Sequence, residues 1–131
     1  MALVLGLSAF YHDSAAALIE NDKIIAAAQE ERFTRIKHDS SFPFNAIEYV
    51  LGERKINISN VDFIVFYEKP FLKFERILET HIDFAPFGFK SFSASMPIWL
   101  REKLFQKKLI IDNLKKIKKN IDYKKKIKFS E

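Results

Sequence analysis

The 131-residue sequence is 48% hydrophobic and 30% charged with 14 Phe, which excludes a disordered chain and supplies a core for one small domain or part of a larger one. It has no cysteine, so disulfide frameworks and thiolate zinc sites are excluded. The net charge of +5 is uneven: residues 1–96 hold 10 Lys/Arg against 13 Asp/Glu, and residues 97–131 hold 12 against 4, so the basic character belongs to the last part alone.

Leu3-Val4-Leu5-Gly6-Leu7 is a short apolar run suited to a strand buried on both faces. It has no basic lead and His12 and Asp13 interrupt it, so it does not read as a secretory signal; a cytoplasmic protein is expected. Ala15–Ile19 and Lys23–Gln29 are further strands, joined at Asn21-Asp22, residues that tolerate the positive φ of a tight hairpin. Ser41-Phe42-Pro43 predicts a helix start with Pro in the first turn, and Ile47, Val50, Leu51 and Arg54 share one side of that helix. Val61–Tyr67 is apolar on both faces, a central strand ended by Pro70. A second helix is expected over 71–82 and a loop over 84–97. From Trp99 onward Leu100, Leu104, Ile111, Leu114, Ile117 and Ile121 form one helical stripe with Lys opposite.

The pattern thus gives an α/β lobe over 1–97, a basic amphipathic helical segment over 98–125 and a candidate strand over 126–131. No apolar run is long enough to span a membrane. No aromatics interleave the lysines, so nucleic acid is not an expected partner, and the basic helix reads as one solvated face.

Two polar clusters carry the chemistry. Ser8-Ala9-Phe10-Tyr11-His12-Asp13-Ser14 lies between two buried strands, where His12 is placed to accept a proton from an alcohol. The same cluster also reads as a polar turn in which Asp13 and Ser14 cap backbone amides. In Gln29–Asp39 the alternating charges read as a solvated ion-pair surface, or as Arg35, Lys37 and Arg32 facing a phosphate or carboxylate. His12, His38 and His81 lack metal-ligand spacing, so no metal site is assigned.

Read together, Gly6-Leu7-Ser8-Ala9-Phe10-Tyr11-His12-Asp13-Ser14-Ala15-Ala16-Ala17 and Ala26-Ala27-Ala28-Gln29-Glu30-Glu31-Arg32-Phe33-Thr34-Arg35, with Lys37-His38-Asp39, resemble the O-carbamoyltransferase family of nodulation-factor and antibiotic-modifying enzymes. The likeness continues through Phe42-Pro43, Val65-Phe66-Tyr67-Glu68-Lys69-Pro70 and Met96-Pro97-Ile98-Trp99-Leu100, covering nearly the whole chain. It implies a partial actin-like ATPase (ribonuclease H-like) domain: a mixed sheet opening with strand, loop and β-hairpin, plus helices.

The resemblance further implies an enzyme in which ATP and carbamoyl phosphate give a carbamoyl-adenylate, whose carbamoyl group passes to a hydroxyl of a sugar-like acceptor. On that basis His12 is the candidate base or alcohol-orienting group and Asp13 fixes its tautomer. Phe10 is the candidate acceptor wall, and Ser14, Arg35 and Lys37 are candidate contacts to substrate or carbamoyl-adenylate. The family's His-x-x-x-His iron motif and second domain are not in this sequence. The chain is therefore expected to need the C-terminal part of the enzyme as partner, to hold neither ATP nor iron tightly, and to be inactive alone. The alternative is a non-catalytic truncated remnant or a small binding module.

Overall fold

The computed structural model describes residues 2–10, 12–67, 79 and 106–130. Two units are distinguished by their internal contacts, residues 1–68 with 113–131 and residues 69–112; the sheet and loops below belong to the first.

Strands β1 (Leu3–Ser8), β2 (Ala15–Glu20) and β3 (Lys23–Gln29) form an antiparallel meander. Asn21 and Asp22 turn the hairpin with φ of 48° and 68°, the left-handed pair that a two-residue loop between right-twisted strands requires. A short helix α1 (Glu31–Thr34) and the longer α2 (Phe44–Arg54) follow. β4 (Phe63–Tyr67) then pairs parallel to β1, and β5 (Ile127–Ser130) pairs parallel to β4, giving the order β3-β2-β1-β4-β5. The five-stranded mixed sheet, opening with strand, loop and β-hairpin and carrying helices, is the α/β architecture expected.

One face of the sheet is the core. Leu5, Leu7, Ala16, Leu18, Ile64 and Phe66 are each at most 3% exposed, and α2, in contact with β2 and β3, buries Ala46, Ile47, Val50 and Leu51. Arg54, expected on the same side, reaches the end of β2, where its Nη2 donates to both carboxylate oxygens of Glu20 at 3.1 and 3.0 Å. Pro43 is the cap of α2 and not part of its first turn: its carbonyl accepts the Ile47 N–H at 2.9 Å, the helix's opening bond.

The basic stripe is described as α3 (Gln106–Ile117), followed by the single turn α4 (Tyr123–Lys126). Ile110, Ile111 and Leu114 are buried, whereas Ile121 falls beyond the helix end. Past the helix end the Tyr123 hydroxyl donates to Lys118 O at 2.7 Å and lies 3.1 Å from Leu114 O, which also accepts the Lys118 amide at 3.2 Å. The expected helix over 71–82 and loop over 84–97 lie outside the described residues, Glu79 excepted. Among the described residues no helix is long and apolar enough to cross a membrane.

Candidate functional site

The chain between β1 and β2 must leave a central strand and return beside it within residues 9–14. Phe10 and Asp13 accomplish this in the left-handed region, at φ of 68° and 53°. Such conformations are held only when the surroundings over-determine them. A second loop, residues 35–41, provides that surrounding, itself with Arg35 and His38 at φ of 61° and 56°. Phe10 N donates to Ser40 O and Ser14 N to Asp39 O, both at 2.8 Å, so the second loop grips the first on both sides of Asp13. Glu30 N closes the arrangement by donating to Ser14 O at 2.8 Å.

Two carboxylates build this scaffold from below. Asp39 is buried; its Oδ2 accepts Thr34 Oγ1 at 2.6 Å, and its Oδ1 accepts Ser41 Oγ at 2.6 Å and Ser41 N at 2.9 Å. The Ser41 and Thr34 hydroxyls, with the Ser41 amide, hold its carboxyl below the ordinary carboxylate range. Glu30, only 2% exposed, reaches the start of α2. It accepts Asn45 Nδ2 at 2.7 Å, Asn45 N at 3.2 Å and Ala46 N at 2.8 Å. Pro43 has no side-chain acceptor, so α2 takes its capping carboxylate from the end of β3.

Above the scaffold sits the polar cluster. Asp13 Oδ2 lies 2.8 Å from His12 Nδ1, and its Oδ1 lies 2.9 Å from His38 Nδ1. An ionised carboxylate only accepts, so both imidazoles present Nδ1–H to it. The contacts with His38 and then His12 hold the Asp13 carboxyl below its usual range. The Asp13 contact, with a smaller contribution from Glu31, raises His38 above the ordinary imidazole value. Glu31 Oε2 accepts the His38 amide at 3.0 Å, fixing the ring's starting point. Under the cluster Phe10 stacks at 6.3 Å on Phe66 and at 5.9 Å beside Phe42, and Phe66 meets Phe129 of β5 at 6.2 Å.

The structure therefore brings His12 and Asp13 together and adds His38, which the sequence reading left outside the site. Phe10 is half-buried with its ring engaged in the aromatic column. Ser14 is fully buried, and its Oγ has no hydrogen-bond partner among the described residues. Arg35 and Lys37 stand exposed on the 35–41 loop, Arg35 with its amide on Glu31 O at 2.9 Å. Arg32 instead lines a depression of about 710 Å³ on the sheet's other face, floored by Gly6, Ala15, Ala17 and Ala27 and walled by Phe33 and Tyr67.

The reading of Asp13 and Ser14 as caps of backbone amides does not describe this loop. Asp13 serves imidazoles, and the aspartate that takes an amide is Asp39. Nor is 29–39 only a solvated ion-pair surface, because Glu30 and Asp39 are buried. The signal for Glu30 was available: a helix starting after Phe-Pro with no Ser, Thr, Asp or Asn at its cap needs an acceptor from elsewhere.

Asp13, Glu31 and His38 each bring one potential metal-donor atom within 4.8 Å of the others. Asp13 and His38 already satisfy each other through Nδ1, and the Glu31 carboxylate holds a backbone amide. This donor set fits a hydrogen-bonded cluster and not a metal centre.

The carbamoyltransferase N-terminus family matches residues 3–131. The chain belongs to that family. This carbamoyltransferase N-terminal chain is 58% identical over 110 residues to the Synechocystis protein sll1178, covering 84% of this chain and 18% of that one. It is 41% identical over 58 residues to the nodulation protein NolNO of Sinorhizobium fredii, covering 44% of this chain and 8% of the relative. The chain thus spans less than a fifth of the length of these two relatives. Among solved structures, YeaZ from Pseudomonas aeruginosa overlays 53% of this chain and 31% of its own, with a TM-score of 0.39 and 17% identity.

Proposed function

We propose that this carbamoyltransferase chain contributes the acceptor-activating loop of an ATP-dependent O-carbamoyl transfer. The observation that carries the reading is the His12–Asp13 contact at 2.8 Å. Because Asp13 takes Nδ1–H, the lone pair of the neutral ring is on Nε2, the nitrogen that can draw a proton from an alcohol. A carbamate is a poor electrophile, so the acyl group needs an activated leaving group. Carbamoyl-adenylate, made from carbamoyl phosphate and ATP, supplies one. The nucleophile is then the hydroxyl of a sugar-like acceptor, oriented and deprotonated by His12.

In this reading Lys37 and Arg35, exposed on the neighbouring loop, meet the anionic adenylate as it is delivered by the remaining part of the enzyme. Phe10 and Ser14 shape the loop's inner wall. The iron that the family resemblance implies is assigned no ligands among the described residues.

The test is a graft. Residues 1–131 replace the matching segment of the Synechocystis relative, and transfer of label from ¹⁴C-carbamoyl phosphate with ATP is followed to a panel of sugars and aminoglycosides. His12→Asn should lower transfer by roughly 10²–10⁴-fold, the usual weight of a positioned general base. An unchanged rate removes His12 from the reaction, and a graft that transfers nothing while the parent does removes the reading for this chain.

A further inference from the structure

Why a second histidine should contact the carboxylate that orients the first is not explained by transfer chemistry alone. We propose that His38 is a positioning residue which, by holding Oδ1 of Asp13, keeps Oδ2 aimed at His12 and fixes His12 in its Nδ1–H tautomer. The proposal rests on the reading of His12 given above, but its central claim concerns a tautomer and is measurable in this chain without substrate.

The geometry has three parts. First, Asp13 is the only carboxylate in hydrogen-bond contact with both rings among the described residues, and it has one oxygen for each, Oδ2 for His12 at 2.8 Å and Oδ1 for His38 at 2.9 Å. A carboxylate held at one oxygen retains little freedom to swing the other, so the partner of Oδ2 inherits its orientation. Second, His38 is itself anchored. Its amide donates to Glu31 Oε2 at 3.0 Å, and the flanking Asp39 is buried and pinned by Thr34 and Ser41. Third, the same stretch holds the backbone on either side of Asp13, through Ser40 O and Asp39 O. The loop over 35–41 is therefore a backboard against which the β1–β2 loop is set, and His38 is its side-chain contact with the reacting group's orienter. Among the described residues, the charged and titratable groups facing the His38 ring are Asp13, with His12 across it, and Glu31 from α1. The raised titration of His38 and the lowered one of Asp13 have this contact as their largest cause.

The experiment is ¹⁵N imidazole spectroscopy of the 131-residue chain at a pH where His12 is neutral. In the wild type His12 should show the Nδ1–H pattern. His38→Ala should move it toward the Nε2–H form that unconstrained imidazole favours, and His38→Gln, whose amide can donate to Asp13, should bring the Nδ1–H pattern back. Retention of the wild-type tautomer in His38→Ala overturns the proposal, and so does failure of His38→Gln to restore it in a chain whose amide spectrum is otherwise intact. An Nε2–H ring at position 12 in the wild type also overturns the proposal. Should His38→Ala unfold the loop, His38→Phe, which fills the space without donating to Asp13, takes its place with the same expected and overturning results.

In the grafted enzyme, His38→Ala should lower kcat by about 10–100-fold with KM nearly unchanged, a part of what a general base contributes, and His38→Gln should recover a share of it. If the tautomer shifts as expected but His12→Asn transfers at the full rate, the transfer reading fails and the positioning of His12 stands.

Discussion

Replacing Glu30 by Gln removes a charge from a site where it is almost wholly shielded from water, at 2% exposure. Its two oxygens accept three hydrogen bonds: Asn45 Nδ2 at 2.7 Å, Ala46 N at 2.8 Å and Asn45 N at 3.2 Å. Gln has one acceptor oxygen, and its amide nitrogen would face a donor on whichever side it lies. At least one buried donor then loses its partner, at about 1–3 kcal/mol. The negative charge at the start of α2 goes as well, which is worth about 0.3–2 kcal/mol depending on burial. The sum is a loss of roughly 1–5 kcal/mol, a large fraction of the 5–15 kcal/mol of a typical domain. Urea denaturation of the full chain reads it directly, as a lower midpoint at unchanged slope. Glu48→Gln, exposed on the same helix, is the control and should stay within about 0.5 kcal/mol of wild type. A Glu30→Gln chain as stable as the control would refute the view that α2 is capped from β3.

Asp39 has a folded-state pKa below its unfolded value of 3.8, so its contribution is fully present above that pH and is lost as the pH falls through the lowered value. The stability gap between wild type and Asp39→Asn, measured by urea titration at successive pH, should be full at neutrality and close below about 3.8. His38 runs the other way: raised above 6.5, it stabilises fully below that pH and ceases to as the pH climbs through its folded value. Asp13→Asn should return His38 toward 6.5 in an NMR titration, since the Asp13 contact is the largest cause of the shift. Phe66→Ala removes a 1%-exposed ring that meets both Phe10 and Phe129, and should cost about 3–5 kcal/mol by the same urea assay.

Strand elements with strong local causes were legible in the sequence. The hairpin at Asn21-Asp22 and the strands β1 and β4 follow from residue type and period, but the burial on both faces expected of them does not hold: Phe63 and Tyr67 of β4 stay exposed. The order of the strands across the sheet is non-local, and nothing in the sequence reading gave it. The site was half legible. His12 and Asp13 adjoin in sequence and are joined in space, but His38 stands 25 positions from Asp13, and no periodicity links them. Glu30 and Asp39 looked like surface charges because alternation of sign usually means a solvated face. Their burial depends on what lies opposite each, the open first turn of α2 for Glu30 and the hydroxyls of Thr34 and Ser41 for Asp39. The helix stop near Ile117 was likewise hidden, because the lysine pattern continues past it.

The placement of β5 has a consequence for synthesis on the ribosome. β4 is complete at Tyr67, yet its outer neighbour is residues 127–130, paired with it through Ile64–Ile127 to Tyr67–Ser130. Throughout the intervening translation β4 is an open edge with its ladder unmet, the kind of surface to which other nascent chains adhere. A premature stop only a few codons before position 127 would make that exposure permanent while leaving the hairpin, α2 and the His12 loop intact in sequence. Such a product should be recognised by its aggregation before any loss of chemistry is measured.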